Sequence, residues 1–152
     1  MLDTYLRALL DPPFAKDPPV KLNISAKTLG GVYAILGAIG ALFGLFGVLV
    51  LLGLSGYAAV GVGGLSILTL IGSLIAEVGT AIAAWGGYRM YQADRGGKTL
   101  VIYGLALNVL GGLVTALGNF GGVASWIVSL AITFVLYYLV IISRFEGETK
   151  LV

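Results

Sequence analysis

Glu77 is the only ionisable side chain, tyrosines aside, inside the four long apolar stretches of this chain. It lies twelve residues before Arg89, about 18 Å along a helix at 1.5 Å per residue. That depth is near the middle of a hydrocarbon layer about 30 Å thick. Asn108 lies ten residues after Lys98, and Thr133 lies eleven before Arg144, so both fall at a similar depth. Ser73 and Thr80 share a helical face with Glu77. Glu77, Asn108, Thr133, Ser73 and Thr80 together make the one candidate polar site in the chain. A charged carboxylate at the bilayer centre costs about 2.5–3.5 kcal/mol on insertion scales, and no Lys or Arg lies at that depth to offset it. The expectation is a neutral Glu77, hydrogen-bonded to Asn108 or to a backbone carbonyl. Three roles are open to it: a protonated clamp between helices, a proton or cation site in a transporter, or a contact to a partner subunit.

Other chemistry finds little support. The chain has no Cys and no His, which removes thiolate nucleophiles, imidazole bases and the commonest metal ligand. Ser55, Ser66, Ser73, Ser125, Ser129 and Ser143 therefore lack a histidine partner, and no lysine lies at membrane depth to replace one. Gly61-x-Gly63-Gly64 neither follows a soluble strand nor opens a βαβ unit, so it is not a dinucleotide fingerprint. One intramembrane carboxylate supplies too few ligands for a metal. No enzyme activity, cofactor or metal is expected. A formal charge of +2 with no basic patch gives no reason to expect a nucleic-acid partner.

The elements that must carry this site are transmembrane helices. Of the 152 residues, 59% are hydrophobic and 11% charged, whereas a soluble domain carries about 25% charged residues. Apolar runs over 30–54, 63–88, 100–118 and 122–142 are each long enough for the roughly 20 residues of a helical span. They are continuously apolar, without the period-two alternation of a membrane β-barrel. Glycine-bearing breaks at Gly53–Tyr57, Asp94–Gly97 and Gly118–Gly122 are expected to reverse the chain. The first run is too long for a signal peptide and lacks a cleavage site behind it. The reading is an all-α integral membrane protein of four transmembrane helices, arranged as two hairpins. Residues 1–29 form an N-terminal segment, 30–143 the membrane domain and 144–152 a tail.

Basic residues give the orientation. Arg7, Lys16, Lys21 and Lys27 precede the first span, Arg89, Arg95 and Lys98 join the second to the third, and Arg144 and Lys150 follow the fourth. The other two loops carry no charge. Lys and Arg collect on the cytoplasmic side, so both termini are expected there, in a plasma or inner membrane.

Leu2, Tyr5, Leu6, Leu9 and Leu10 can share one face of a short helix, as in a helix lying in the headgroup layer. A solvated tail or partner-docking segment has the same pattern. Asp11-Pro12-Pro13 ends it, and Asp17-Pro18-Pro19 keeps the linker to residue 26 extended. Lys27-Thr28-Leu29 and Lys98-Thr99-Leu100 open the first and third spans alike. This suggests a hairpin used twice in parallel, although two Leu- and Gly-rich segments match by chance as readily.

Twenty-four glycines exceed what turns require. Gly37, Gly40, Gly44 and Gly47 share a face of the first span. Gly72, Ala76, Gly79 and Ala83 do so in the second, and Gly104, Asn108, Gly111, Thr115 and Gly118 in the third. Helices in lipid associate through close van der Waals approach, which small residues permit. Packing inside one four-helix bundle is the plainer use of these stripes, and one of them facing a second subunit is the sharper one. Trp85, Tyr88, Tyr91, Tyr57 and Trp126 are placed to anchor at the membrane interfaces. The expected function is a non-enzymatic structural or accessory subunit of a homo-oligomer or larger membrane assembly. The alternative is a small proton- or cation-coupled transporter or channel using Glu77.

Overall fold

A computed structural model describes residues 8–15, 17–20, 22–58, 67–118 and 122–145. Four long helices make up the membrane domain: α1 (Ala26–Ala58), α2 (Ile67–Tyr91), α3 (Gly96–Gly118) and α4 (Gly122–Ile142). Each is long and apolar enough to cross a membrane. Within such runs every amide must find its partner inside the segment, because lipid offers none, and this holds glycine-rich sequence helical. That rule also explains two boundary differences. The helix α1 continues through Gly53-Leu54-Ser55-Gly56 to Ala58, where the glycines suggest a break. Likewise α3 begins at Gly96, so Gly97 belongs to a helix rather than to a turn. Residues 59–66, including Gly63-Gly64, lie outside the described residues, as do Leu2, Tyr5, Leu6, Lys16, Lys21 and the tail beyond Phe145.

The turn between α2 and α3 is built by a few polar contacts. Ala93 adopts a left-handed φ of 63°. Around it the Asp94 amide donates to the Arg89 carbonyl (2.9 Å) and the Ala93 amide to the Met90 carbonyl (2.9 Å). These two bonds close the end of α2 as a Schellman motif. Asp94 then starts α3, accepting from the Gly96 amide at 2.8 Å and from Arg89 Nε at 2.7 Å. The Gly96 amide foremost, and Arg89 after it, hold the Asp94 carboxyl below its ordinary value.

Consecutive helices pack in order, α2 against α3 most extensively, then α1 against α2, and α4 against α3 least. The α2–α3 contact repeats every seven residues. Gly72, Gly79 and Gly86 face Gly111, Gly104 and Gly97 in antiparallel register. A Cβ at Gly79 would lie 2.6 Å from the Gly104 carbonyl oxygen, and one at Gly104 2.5 Å from the Gly79 carbonyl oxygen. The Gly86–Gly97 pair is as close, at 2.8 and 2.6 Å. A seven-residue repeat corresponds to the shallow left-handed crossing of coiled coils. Ala76, Ala83 and Met90 alternate with the glycines of α2 along this face.

The next face of α2 meets α1 backbone to backbone only at one end; farther along, the Thr80 and Glu77 side chains reach across to Gly40 and Gly44. A Cβ at Gly30 would lie 2.7 Å from the Gly87 carbonyl oxygen, and one at Gly37 2.8 Å from the Ala84 Cβ. At Gly40 the nearest atom, Thr80 Cγ2, has receded to 3.4 Å, and at Gly47 nothing lies within 4 Å. The two helices therefore diverge along their length.

The end that carries the basic residues holds the core. Met90, Val101, Val140 and Ser143 are fully buried there, with Ala26, Leu29, Tyr33, Ile102, Leu105 and Phe145 around them. Backbone bonds link the start of α1 to the end of α4: the Ala26 amide to the Arg144 carbonyl (2.7 Å) and the Arg144 amide to the Ile24 carbonyl (3.0 Å). Lys98 donates to the Ser143 carbonyl, placing a cation where the α4 dipole is negative. The N-terminal segment straps the same end. Residues 8–10 are helical, and Leu9 and Leu10 pack on the core. The Tyr137 hydroxyl donates to the Leu9 carbonyl (2.5 Å), and Tyr138 accepts from the Val20 amide (3.1 Å) and donates to its carbonyl (2.8 Å). Phe14 lies against both tyrosine rings.

Candidate functional site

Joined at the basic end, α1 and α4 barely touch over the rest of their length. A cleft opens between them, floored by α2 and α3. It has two adjoining chambers of about 860 Å³ and 590 Å³, which share Thr80, Ser125 and Ser129 in their walls. The larger contains Ser73, Glu77 and Thr80; the smaller contains Thr80, Asn108 and Thr133. All five polar positions singled out in the sequence thus line the cleft.

Spacing accounts for this convergence. Residues 73, 77, 80, 84 and 87 of α2 recur at three- and four-residue steps, so they share the face beside the glycine seam. Near the basic end that face is filled by α1. Where α1 diverges, Ser73, Glu77 and Thr80 are left lining open space. On α4, Ser125, Ser129 and Thr133 stand four residues apart and give a polar stripe on one face. Ser125 and Ser129 carry no weight in the sequence reading, because neither has a catalytic partner. Their signal was the four-residue step to Thr133.

The polar groups are not equally committed. Ser73 Oγ donates to the Thr69 carbonyl (2.8 Å) and Thr80 Oγ1 to the Ala76 carbonyl (3.0 Å), the usual return bonds of hydroxyls in helices. Asn108 Nδ2 donates to Thr80 Oγ1 (2.9 Å) and to the Ala76 carbonyl (3.3 Å). The amide of α3 is therefore bound to α2 through Thr80, and of the partners expected for Glu77, Asn108 or a backbone carbonyl, neither is bonded to it among the described residues. Glu77 turns toward α1 instead. Its half-buried carboxyl occupies the space beside Gly44, which a side chain there would fill. Among the described residues no group donates to it. Tyr33 adds a second uncommitted group: it lines the smaller chamber, and its buried hydroxyl has no partner among the described residues.

The aromatic residues divide. Trp85, Tyr88 and Tyr91 are exposed near the end of α2, where Lys27 lies over the Tyr91 ring at 5.7 Å, positions suited to an interfacial belt. Trp126, expected to anchor in the same way, turns inward. Its Nε1 donates to the Val109 carbonyl (3.1 Å), and its ring fills the space over Gly112, 2.9 Å from where a Cβ would stand. It forms part of the wall of the larger chamber.

The cleft offers one carboxyl, one amide and several hydroxyls, with no basic side chain among its lining residues. Among the described residues no group of His, Cys, Asp or Glu is arranged to hold a metal ion. Such a set can exchange a proton at Glu77, receive a cation there, and hydrogen-bond a polar guest. Comparison with known protein families, curated proteins and solved structures finds no match.

Proposed function

We propose that this chain is a small membrane transporter or channel that carries a proton or a cation on Glu77, in a plasma or inner membrane with both termini cytoplasmic. The observation that supports this reading is the uncommitted Glu77 carboxyl, with a few hydroxyls beside it, in a mainly apolar cleft at membrane depth. A structural clamp needs a partner across the helix interface. Asn108 and Thr80 already supply that clamp between α2 and α3. An intramembrane acid left without a partner is costly to keep, and its retention is accounted for by a proton or cation that comes and goes. The chain works without bond-making chemistry in this account, since among the described residues no nucleophile is paired with a base.

Reconstitution into proteoliposomes tests the proposal. Wild-type protein is expected to collapse an imposed proton gradient, alone or with an added cation. Glu77→Gln, which preserves shape and hydrogen-bonding capacity, is expected to abolish that flux while leaving the fold intact. Equal flux from both proteins refutes the reading.

A second reading, an accessory subunit of a membrane assembly, is favoured by a separate observation. Gly47 and Gly53 on α1 face open space, among exposed apolar side chains. Gly47 lines the larger chamber and Gly53 lies on another side of α1, and small residues with open space over them suit the approach of a helix from a second subunit. Native mass spectrometry of gently extracted protein discriminates this reading, which requires a homo-oligomer or larger subunits bound to the chain.

A further inference from the structure

The walls around Glu77 narrow what the cleft can accept. The larger chamber falls within the size range of pockets for drug-sized molecules, about 300–1,000 Å³. One acid and no base line it, so no side chain there balances the charge of an anion. A small hard cation needs six or more oxygen ligands or its own water shell, and Glu77 brings a single carboxylate into a mainly apolar chamber. A neutral apolar molecule fills the space but leaves the carboxyl as it was. A bulky cation with its charge spread over an apolar body meets none of these objections, because it gives up little hydration on leaving water.

Two rings strengthen the case. Phe46 of α1 and Trp126 of α4 line the same chamber as Glu77. Trp126 is held in place before any guest arrives by its bond to the Val109 carbonyl and by the glycine beneath it. Ring faces attract cations most strongly where water is excluded. The cleft also opens sideways, toward the lipid from which such a molecule would come: Phe46, Val128 and Ile132 on its walls are 66%, 60% and 56% exposed.

We propose that the cleft binds a lipophilic cation, with the positive centre at Glu77 and the apolar body between α1 and α4. The neutral carboxyl releases its proton to water as the cation arrives, keeps the bonding electron pair as a carboxylate, and forms no covalent bond. This deepens the reading of Glu77 as a proton or cation site and rests on it.

The test uses two probes of the same shape and opposite charge, tetraphenylphosphonium and tetraphenylborate, titrated into the intact protein in lipid nanodiscs. Saturable binding of the cation alone is expected, with release of about one proton per cation into weakly buffered medium. Binding should weaken at least about tenfold in Glu77→Gln, and less in Phe46→Leu and Trp126→Leu. Glu77→Asp should retain it, which covers the case of a Glu77→Gln protein that fails to fold. Equal binding of both ions, or cation binding indifferent to Glu77, overturns the proposal. So does a second copy seated in the cleft, detected as a disulfide between chains carrying Ser129→Cys. If the cation fails to bind while Glu77-dependent proton flux persists in proteoliposomes, the ligand class alone is wrong. If both fail, the reading of Glu77 falls with it.

Discussion

Replacing Gly79 by alanine is expected to loosen the membrane domain, although alanine is the better helix former. The new Cβ would stand 2.6 Å from the Gly104 carbonyl oxygen and 2.7 Å from the Asn108 amide nitrogen. That is about 0.8 Å short of ordinary contact at 3.4 Å. Both obstructing atoms are backbone, so no rotamer change relieves them. The helices must move apart, and the neighbouring pairs Gly72–Gly111 and Gly86–Gly97 hold them together on either side. Overpacking of this kind costs about 1–3 kcal/mol, while the gain in helix propensity is at most about 1 kcal/mol. The net effect is then a loss of up to about 2 kcal/mol. Gly47→Ala supplies the control: nothing lies within 4 Å of its Cβ position, so it retains the propensity gain alone. The propensity gain is common to both, so the two variants should differ by the overpacking cost, about 1–3 kcal/mol, in reversible unfolding in mixed micelles. Gly104→Ala, on the facing position, should match Gly79→Ala, and the double variant should cost less than the sum because the helices have already parted. A Gly79→Ala protein as stable as Gly47→Ala would refute the reasoning.

Two further predictions concern the turn between α2 and α3. Ala93 holds a left-handed φ that alanine adopts at a cost, so Ala93→Gly should stabilise the protein by about 0.5–1 kcal/mol, read from the same unfolding assay. Asp94 gives the turn an acid limb. Its carboxyl is held below the ordinary value by the Gly96 amide and Arg89, so its contribution is complete above the unfolded value of about 3.9 and is lost as pH falls through the lower folded value. Unfolding measured on both sides of that range should show this loss in wild type and a flatter profile in Asp94→Asn.

The four spans were legible because length and apolarity decide helix formation in lipid, and little tertiary context can override them. Boundaries were legible only where polar residues mark them. The start of α4 at Gly122 follows Gly118-Asn119-Phe120-Gly121, whereas the uncharged Gly53-Leu54-Ser55-Gly56 did not stop α1 and Gly96-Gly97 did not delay α3. The stripe of Gly72 and Gly79 was visible, but its continuation through Gly86 to Gly97 was hidden by reading Gly97 as turn. The seven-residue step shows only when both helices are counted together. At the site, the depth and face of Glu77, Ser73 and Thr80 followed from arithmetic along single helices. The partner of Asn108 did not, because it depends on how α3 is rotated against α2. Where α1 leaves α2 was also not legible, since glycines permit close approach without compelling it: Gly37 is in contact and Gly47 is not.

The central claim, an uncommitted carboxyl within reach of the lipid, is tested most directly by a hydrophobic carbodiimide. The O–H of a protonated carboxyl in an apolar setting adds across a C=N bond of such a reagent, the oxygen to carbon and the proton to nitrogen, whereas carboxylates in water are spared. Intact-mass analysis of protein labelled in liposomes is predicted to show a single adduct, mapped by fragmentation to Glu77 and absent from Glu77→Gln. A wild-type protein that stays unlabelled, or one labelled equally in Glu77→Gln, would contradict the account.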